Sequence, residues 1–167
     1  MRRFFSQPAG ENTGMRLIRV CGTAFGLLHL AAIIATPSVS ATQVLTGACL
    51  YVASLGTFWW AIRANAACPL SAAFSPDEPA HLVEGGPYRF LRHPFYCSYM
   101  LAWTAGIAAT GRWWLIPTAL VMLAIYVRAA RMEEQKFARS PLAADYERYR
   151  SQTGMLLPNP AKLFRAR

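Results

Sequence analysis

Residues 20–62 form one stretch without Asp, Glu, Lys or Arg. It is interrupted only by Thr36-Pro37-Ser38-Val39-Ser40, whose proline and hydroxyl residues read as a turn. The first part, 20–35, is short but reaches back to Met15 if Arg16 and Arg19 snorkel to the interface. The second, 42–62, has the roughly 20 residues that a bilayer span requires. The pattern predicts a transmembrane helical hairpin over residues 15–62, closed by the interfacial pair Trp59 and Trp60 and the charged stop Arg63. Residues 63–94 change character, with Pro69, Pro76, Pro79, Pro87 and Pro94 and the acids Asp77, Glu78 and Glu84, and read as a long loop. A second apolar block, 95–127, breaks at Gly111-Arg112. Its two arms of roughly 15 residues reach about 22 Å, less than the ~30 Å hydrocarbon core, and predict a short final hairpin. Pro117 fits a first helical turn, and Trp113 and Trp114 fit an interfacial anchor. Beyond Val127 the strong helix formers of 128–137 continue the last helix into water as a charged stalk. Pro141 ends it, and a short helix over 142–150 carries Tyr146 and Tyr149 before a tail with Gly154, Pro158 and Pro160. The expected fold is all-α: a polytopic membrane protein with about four transmembrane helices, a cytosolic loop and C-terminal helices, in a single domain over 1–167.

Composition agrees. Of 167 residues, 54% are hydrophobic and 15% charged, and the mean hydropathy is +0.23. That is too apolar for a disordered chain or for a water-soluble basic domain. The net charge of +9 comes from 17 Lys and Arg against 8 Asp and Glu. In a soluble protein it would suggest nucleic acid, but here it sets orientation. Four alternating helices put sixteen of the seventeen basic residues on one side and leave Arg112 alone on the other. The positive-inside rule then places both termini, the long loop and the tail in the cytosol of a bacterial-type inner membrane. Residues 1–14 are polar and do not read as a cleavable signal. Cys21, Cys49, Cys68 and Cys97 form no CxxC pair and have no histidine at ligand spacing, so neither a disulfide framework nor a metal site is expected. No nucleic-acid partner is expected either.

Two polar clusters fall on the basic side. One runs Leu82-Val83-Glu84-Gly85-Gly86-Pro87-Tyr88-Arg89-Phe90-Leu91-Arg92-His93-Pro94-Phe95-Tyr96. It sets a tight Gly-Gly-Pro turn and then a guanidinium and an imidazole at a helix start, where anions are favoured. The other is Arg128-Ala129-Ala130-Arg131-Met132-Glu133-Glu134, with Arg131 and Glu134 on one helix face at i, i+3. His29, in the apolar middle of the first helix, reads as a neutral histidine bonded to a neighbouring helix. His81 lies just before the first cluster, where it would cap or line an entrance.

These clusters, the apolar hairpin between them, the Glu133-Glu134 pair, Tyr146 and Tyr149 and the proline-containing tail resemble the isoprenylcysteine carboxyl methyltransferase family and its phospholipid N-methyltransferase relatives. The resemblance covers roughly residues 80–158. It implies an integral membrane enzyme that binds S-adenosylmethionine at the cytosolic helix ends, with contacts at Leu82, Val83, Tyr88, His93, Pro94, Tyr96 and Glu134, and Glu133 beside them. The family's Phe-Gly pair is replaced here by Phe137-Ala138-Arg139-Ser140-Pro141-Leu142.

The residue types suit that cofactor. A carboxylate accepts from ribose hydroxyls, Arg92 or His93 binds the methionine carboxylate, and aromatic faces such as Tyr88 or Tyr96 stabilise a sulfonium. A carboxylate acceptor needs no base. For a phenol, enol or amine acceptor Glu134, Glu133 and His93 are the candidate bases, and Arg131 would hold an anionic acceptor. No GxGxxG is present, so the soluble nucleotide-binding fold is not expected. With four apolar helices and no prenyl-peptide feature, the expected acceptor is a small lipophilic molecule entering from the bilayer lipids. The alternative is a non-catalytic membrane scaffold or subunit whose Arg89, Arg92 and tail bind anionic headgroups.

Overall fold

The computed structural model describes residues 13–66 and 79–159. Among them are five α-helices: α1 (Thr13–Ile34), α2 (Ala41–Ala64), α3 (Pro94–Thr110), α4 (Ile116–Ala138) and α5 (Ala143–Gln152). Short 3-10 turns, Gly86–Arg89 and Trp113–Leu115, precede α3 and α4. Asp77 and Glu78 of the expected loop lie outside the described residues.

The local signals that start and stop these helices are chemical. Ser40 caps α2 by accepting from the Gln43 amide at 3.2 Å, while the Gln43 side chain accepts from the Ser40 amide at 2.8 Å. Gly111 ends α3 with φ of 65°, the left-handed cap that a side-chain-bearing residue resists. Pro117 sits in the first turn of α4, where its missing N–H costs nothing. Arg112 Nε donates to Thr36 Oγ1 at 3.4 Å, so the α1–α2 and α3–α4 turns share one end of the bundle.

The protein is a polytopic membrane protein. Thr13–Ile34, Ala41–Ala64 and Trp113–Ala138 are each long and apolar enough to cross a bilayer. They present side chains such as Leu27 and Val52 outward, 62% and 69% exposed, as a lipid-facing surface does. The last hairpin forms as expected, with two short apolar arms and a charged continuation of the second. The 17-residue α3 rises about 25 Å and falls short of a full span, whereas α4 runs 23 residues. The extra length of α4 is the charged stalk that begins at Arg128 and extends the helix beyond its apolar part.

Small residues let the helices approach. Gly47 faces Ala109 of α3, and Ser54 Oγ donates to the Ser98 carbonyl at 2.7 Å. His29 is buried and its Nε2 lies 2.8 Å from Thr118 Oγ1 of α4, the neighbouring-helix bond expected of it. A Cβ on Gly47 would stand 2.6 Å from Ala109 Cβ and 3.0 Å from its Cα. Gly47→Ala is therefore expected to force α2 and α3 apart at a cost of about 1–3 kcal/mol. Thermal unfolding in detergent checks this, with exposed Gly56→Ala, whose Cβ meets nothing, as the neutral comparison.

Candidate active site

The site is assembled at the opposite end from the Arg112 turn, from the loop before α3, the start of α3, the stalk of α4, and the tail after α5. Gly86 turns the loop with φ of 59°. A Cβ there would meet Ala64 Cβ at 3.0 Å and Trp60 Nε1 at 3.2 Å, so glycine also permits close docking on the end of α2. The next residues bury Pro87 and Tyr88. Asn65 Nδ2 at the end of α2 donates to Tyr88 Oη at 2.8 Å and to the Ala61 carbonyl at 2.8 Å. Burial pushes the Tyr88 phenol up to about 12 despite that bond, so it stays neutral. Tyr88 packs with Tyr146 and Tyr149 of α5, and Leu82, Val83, Ala64 and Phe137 close the same cluster.

The tail fixes the backbone of Arg92 and His93. The Gly154 amide donates to the Phe90 carbonyl at 3.2 Å, the Arg92 amide to the Gly154 carbonyl at 2.8 Å, and the His93 amide to the Met155 carbonyl at 3.1 Å. Arg92 Nη1 donates to the Thr153 carbonyl and, at 3.3 Å, to the Arg150 carbonyl. Thus two amides that would otherwise point outward before α3 are taken by the tail, and Pro94, buried at the first position of α3, carries none.

Side chains from α3 and α4 meet over this strap. Arg92 Nε donates to Glu134 Oε1 at 2.8 Å, with 10% and 11% of the two side chains exposed. His93 lies between the two acids, its Nε2 3.3 Å from Glu134 Oε1 and its Nδ1 3.4 Å from Glu133 Oε2. Tyr96 Oη donates to Glu133 Oε1 at 2.6 Å. The Tyr96 ring stacks on Tyr126 at 5.3 Å and beside His93 at 5.7 Å, with Tyr99 near both tyrosines. Carboxylates, cations and aromatic rings thus share one partly buried cluster, a combination suited to a ligand with hydroxyls and a cationic centre.

Electrostatics divide the acids' environment. Burial opposes ionisation of Glu134, but bonds from His93 and Arg92 and their charges outweigh it, taking its pKa from 4.5 down to about 2. For His93 burial disfavours the imidazolium, and bonds to Glu133 and Glu134 outweigh it, raising the pKa above 6.5. Stability contributed by Glu134 is present in full above pH 4.5 and is lost as pH falls toward 2. That contributed by His93 is present in full below pH 6.5 and is lost as pH rises through its raised value. The midpoint of thermal unfolding is therefore expected to be highest between pH 4.5 and 6.5. His93→Gln is expected to flatten the alkaline limb and, because His93 also holds the Glu134 pKa down, to weaken the acid limb; an alkaline limb as steep as the wild type's would contradict this.

Of the residues singled out from the sequence, Arg92, His93, Pro94, Tyr96, Glu133 and Glu134 come together, and Leu82, Val83 and Tyr88 pack in the adjoining cluster. Arg131 does not join them. It is exposed, and Glu134 turns instead to Arg92 and His93, with Arg150 Nε 4.0 Å away. Spacing of i, i+3 shows which residues share a face but not which distant cation arrives there. His81 is exposed. Asn65, Tyr126 and the 153–155 strap escaped sequence reasoning. Only Asn65, a polar residue closing an apolar helix, left a signal. Among the described residues no group of His, Cys, Asp and Glu is arranged to hold a metal.

No curated protein and no solved structure matches the chain. A family model described as phospholipid methyltransferase matches residues 42–140. The match runs from the first turn of α2 through the Arg92-His93-Pro94 segment and α3 to just beyond the stalk that carries Glu133 and Glu134. Covering more than half of the sequence and most of the site described above, it shows that the chain belongs to the phospholipid methyltransferase family.

Proposed function

We propose that this membrane methyltransferase uses S-adenosylmethionine to methylate a small lipophilic acceptor that enters from the bilayer, with the cofactor arriving from the cytosol. Membership of a methyltransferase family implies that donor. The observation that carries the reading is the convergence of Arg92, His93 and Tyr96 with Glu133 and Glu134 at one end of the bundle. Among the described residues, eleven of twelve basic residues fall toward the site's end of the bundle and Arg112 alone at the other, which supports a cytosolic site.

The residues present fit the donor. Glu134, held ionised, is an acceptor for ribose hydroxyls, and a carboxyl with a pKa near 2 is a weak base. Arg92 and His93 are committed to the two acids and hold Glu134 ionised, and Leu82, Val83 and Tyr88 form the apolar side. Tyr96 and Tyr126 stack on one another, and Tyr99 beside them, 36% exposed, is the ring open to a cationic centre. When bound, S-adenosylmethionine supplies a methyl group already activated on sulfur. What the protein contributes is therefore alignment and exclusion of water. A carboxylate acceptor needs no proton removal. For an amine, phenol or enol, Glu133 is the more open acid, with 30% of its side chain exposed against 11% for Glu134, and takes the proton in this reading. Arg131, exposed on the stalk, steers an anionic acceptor or headgroup toward the site rather than lining it.

Headgroup binding by a scaffold is less well supported, because Arg92 is buried and neutralised by Glu134. Binding separates the two. S-Adenosylhomocysteine is expected to raise the thermal midpoint of the detergent-solubilised protein, and Glu134→Gln to remove that rise. A wild-type midpoint indifferent to the ligand would contradict the reading.

A further inference from the structure

Among the described residues the hydroxyl of Tyr146 is the one buried side-chain polar atom without a hydrogen-bond partner. Its residue is 5% exposed. An orphaned hydroxyl of this kind costs about 1–3 kcal/mol, and buried polar atoms are paired in the great majority of cases. The position is not slack. The ring stacks on Phe137 at 4.6 Å with planes 12° apart, and Tyr149 packs at 6.1 Å. Phe137 is three residues after Glu134, on the same face of α4. The hydroxyl lies near Glu134 and Arg92, close enough for the Glu134 carboxylate to act on it, but makes no well-aligned hydrogen bond to that carboxylate. Leu82, Val83 and Tyr88 pack in the same cluster.

Its neighbour shows the contrast. Tyr149, one turn along α5, donates to the Tyr88 carbonyl at 2.9 Å and is satisfied within the protein. Burial, and next the negative charge of Glu134, raise the Tyr146 phenol above its ordinary value, so it remains a protonated donor. Glu134 is ionised and only accepts. A group that satisfies both must accept one hydrogen bond and donate another, and an alcohol does this while an ammonium or a carboxylate does not.

We propose that Tyr146 is a ligand-binding residue of this site, donating to a ribose hydroxyl of the methyl donor whose own proton is directed to Glu134. This rests on the methyltransferase reading above and adds a residue that the two acidic and basic clusters do not contain.

Tyr146→Phe tests it, because the variant deletes only the orphaned oxygen. Ligand-free, its thermal midpoint is expected to equal or exceed the wild type's, whereas Tyr149→Phe, which loses an internal bond, is expected to melt lower. S-Adenosylhomocysteine is expected to bind Tyr146→Phe about tenfold more weakly, the size of one hydrogen bond. With an analogue lacking both ribose hydroxyls, wild type and Tyr146→Phe are expected to bind alike. Equal affinity for S-adenosylhomocysteine, a tenfold loss that persists with the analogue, or a ligand-free midpoint lowered as in Tyr149→Phe would each overturn the proposal. A wild type that binds no S-adenosylhomocysteine is a different failure: it removes the methyltransferase reading before any variant is compared.

Discussion

Glu134→Gln is expected to lower methyl transfer by about a hundredfold or more and to destabilise the protein at the same time. The two effects share one cause. Glu134 accepts from Arg92 at 2.8 Å where both side chains are about nine-tenths buried, so glutamine leaves a largely buried guanidinium with no counter-charge. Removing one member of such a pair costs about 3–5 kcal/mol, most of it from the stranded partner rather than from the lost bond. The activity loss adds a second term, since the neutral amide no longer holds His93 and, in the proposed reaction, no longer offers an ionised acceptor to the donor's hydroxyls. Glu133→Gln discriminates between the terms. Glu133 touches Tyr96 and His93 but not Arg92, and its side chain is 30% exposed. Its replacement is expected to lower stability by under about 1 kcal/mol. Its activity loss is expected to appear chiefly with acceptors that must shed a proton. Thermal unfolding and turnover measured on both variants check this; equal destabilisation by the two would show that the Arg92 pair is not the reason.

Gly154→Ala is the second large effect. A Cβ at that position runs into the Leu157 carbonyl, with Leu157 C at 2.8 Å and the Asn159 amide nitrogen at 3.2 Å. These are backbone atoms of the tail and cannot swing aside as a side-chain tip would. The turn must open, and with it go the amide bonds of Arg92 and His93 to Gly154 and Met155. Overpacking of about 1–3 kcal/mol and backbone bonds of about 1 kcal/mol each together predict a loss of roughly 2–4 kcal/mol. Because Arg92 also donates to the Thr153 carbonyl, the loosened strap misplaces the guanidinium that holds Glu134. Methyl transfer is therefore expected to fall through a raised KM for the donor. Hydrogen exchange at the Arg92 and His93 amides reads the strap directly: Gly154→Ala is expected to lose their protection and exposed Ser151→Ala to retain it.

The helices and their boundaries were legible because they are local. Pro37 and Ser40 punctuate the first turn, Gly111 supplies a left-handed cap, and the shift from apolar to charged residues at Arg128 announces the stalk. Much of the site was legible too, since Arg92, His93 and the two acids stand out as charges at the edges of apolar segments. The wiring was not. Periodicity paired Glu134 with Arg131 one turn away, but the cation that reaches it comes from the loop before α3. The strap joins Leu91 to Gly154 through backbone bonds that leave no side-chain pattern to read. Nor did Tyr146 and Tyr149 look different, although one satisfies itself on Tyr88 and the other is left unpaired. Such distinctions depend on which distant element docks, and a linear pattern carries little of that.

In the proposed reaction the cluster of Arg92, His93, Tyr96, Glu133 and Glu134 transfers a methyl group to a lipophilic acceptor. Membranes containing the protein, incubated with methyl-labelled S-adenosylmethionine and then partitioned, test it most directly. Label is expected in the lipid extract, and Glu134→Gln membranes are expected to carry about a hundredth of it. Label confined to the aqueous phase or to protein, or equal labelling of lipid by the Glu134→Gln protein, would contradict the claim.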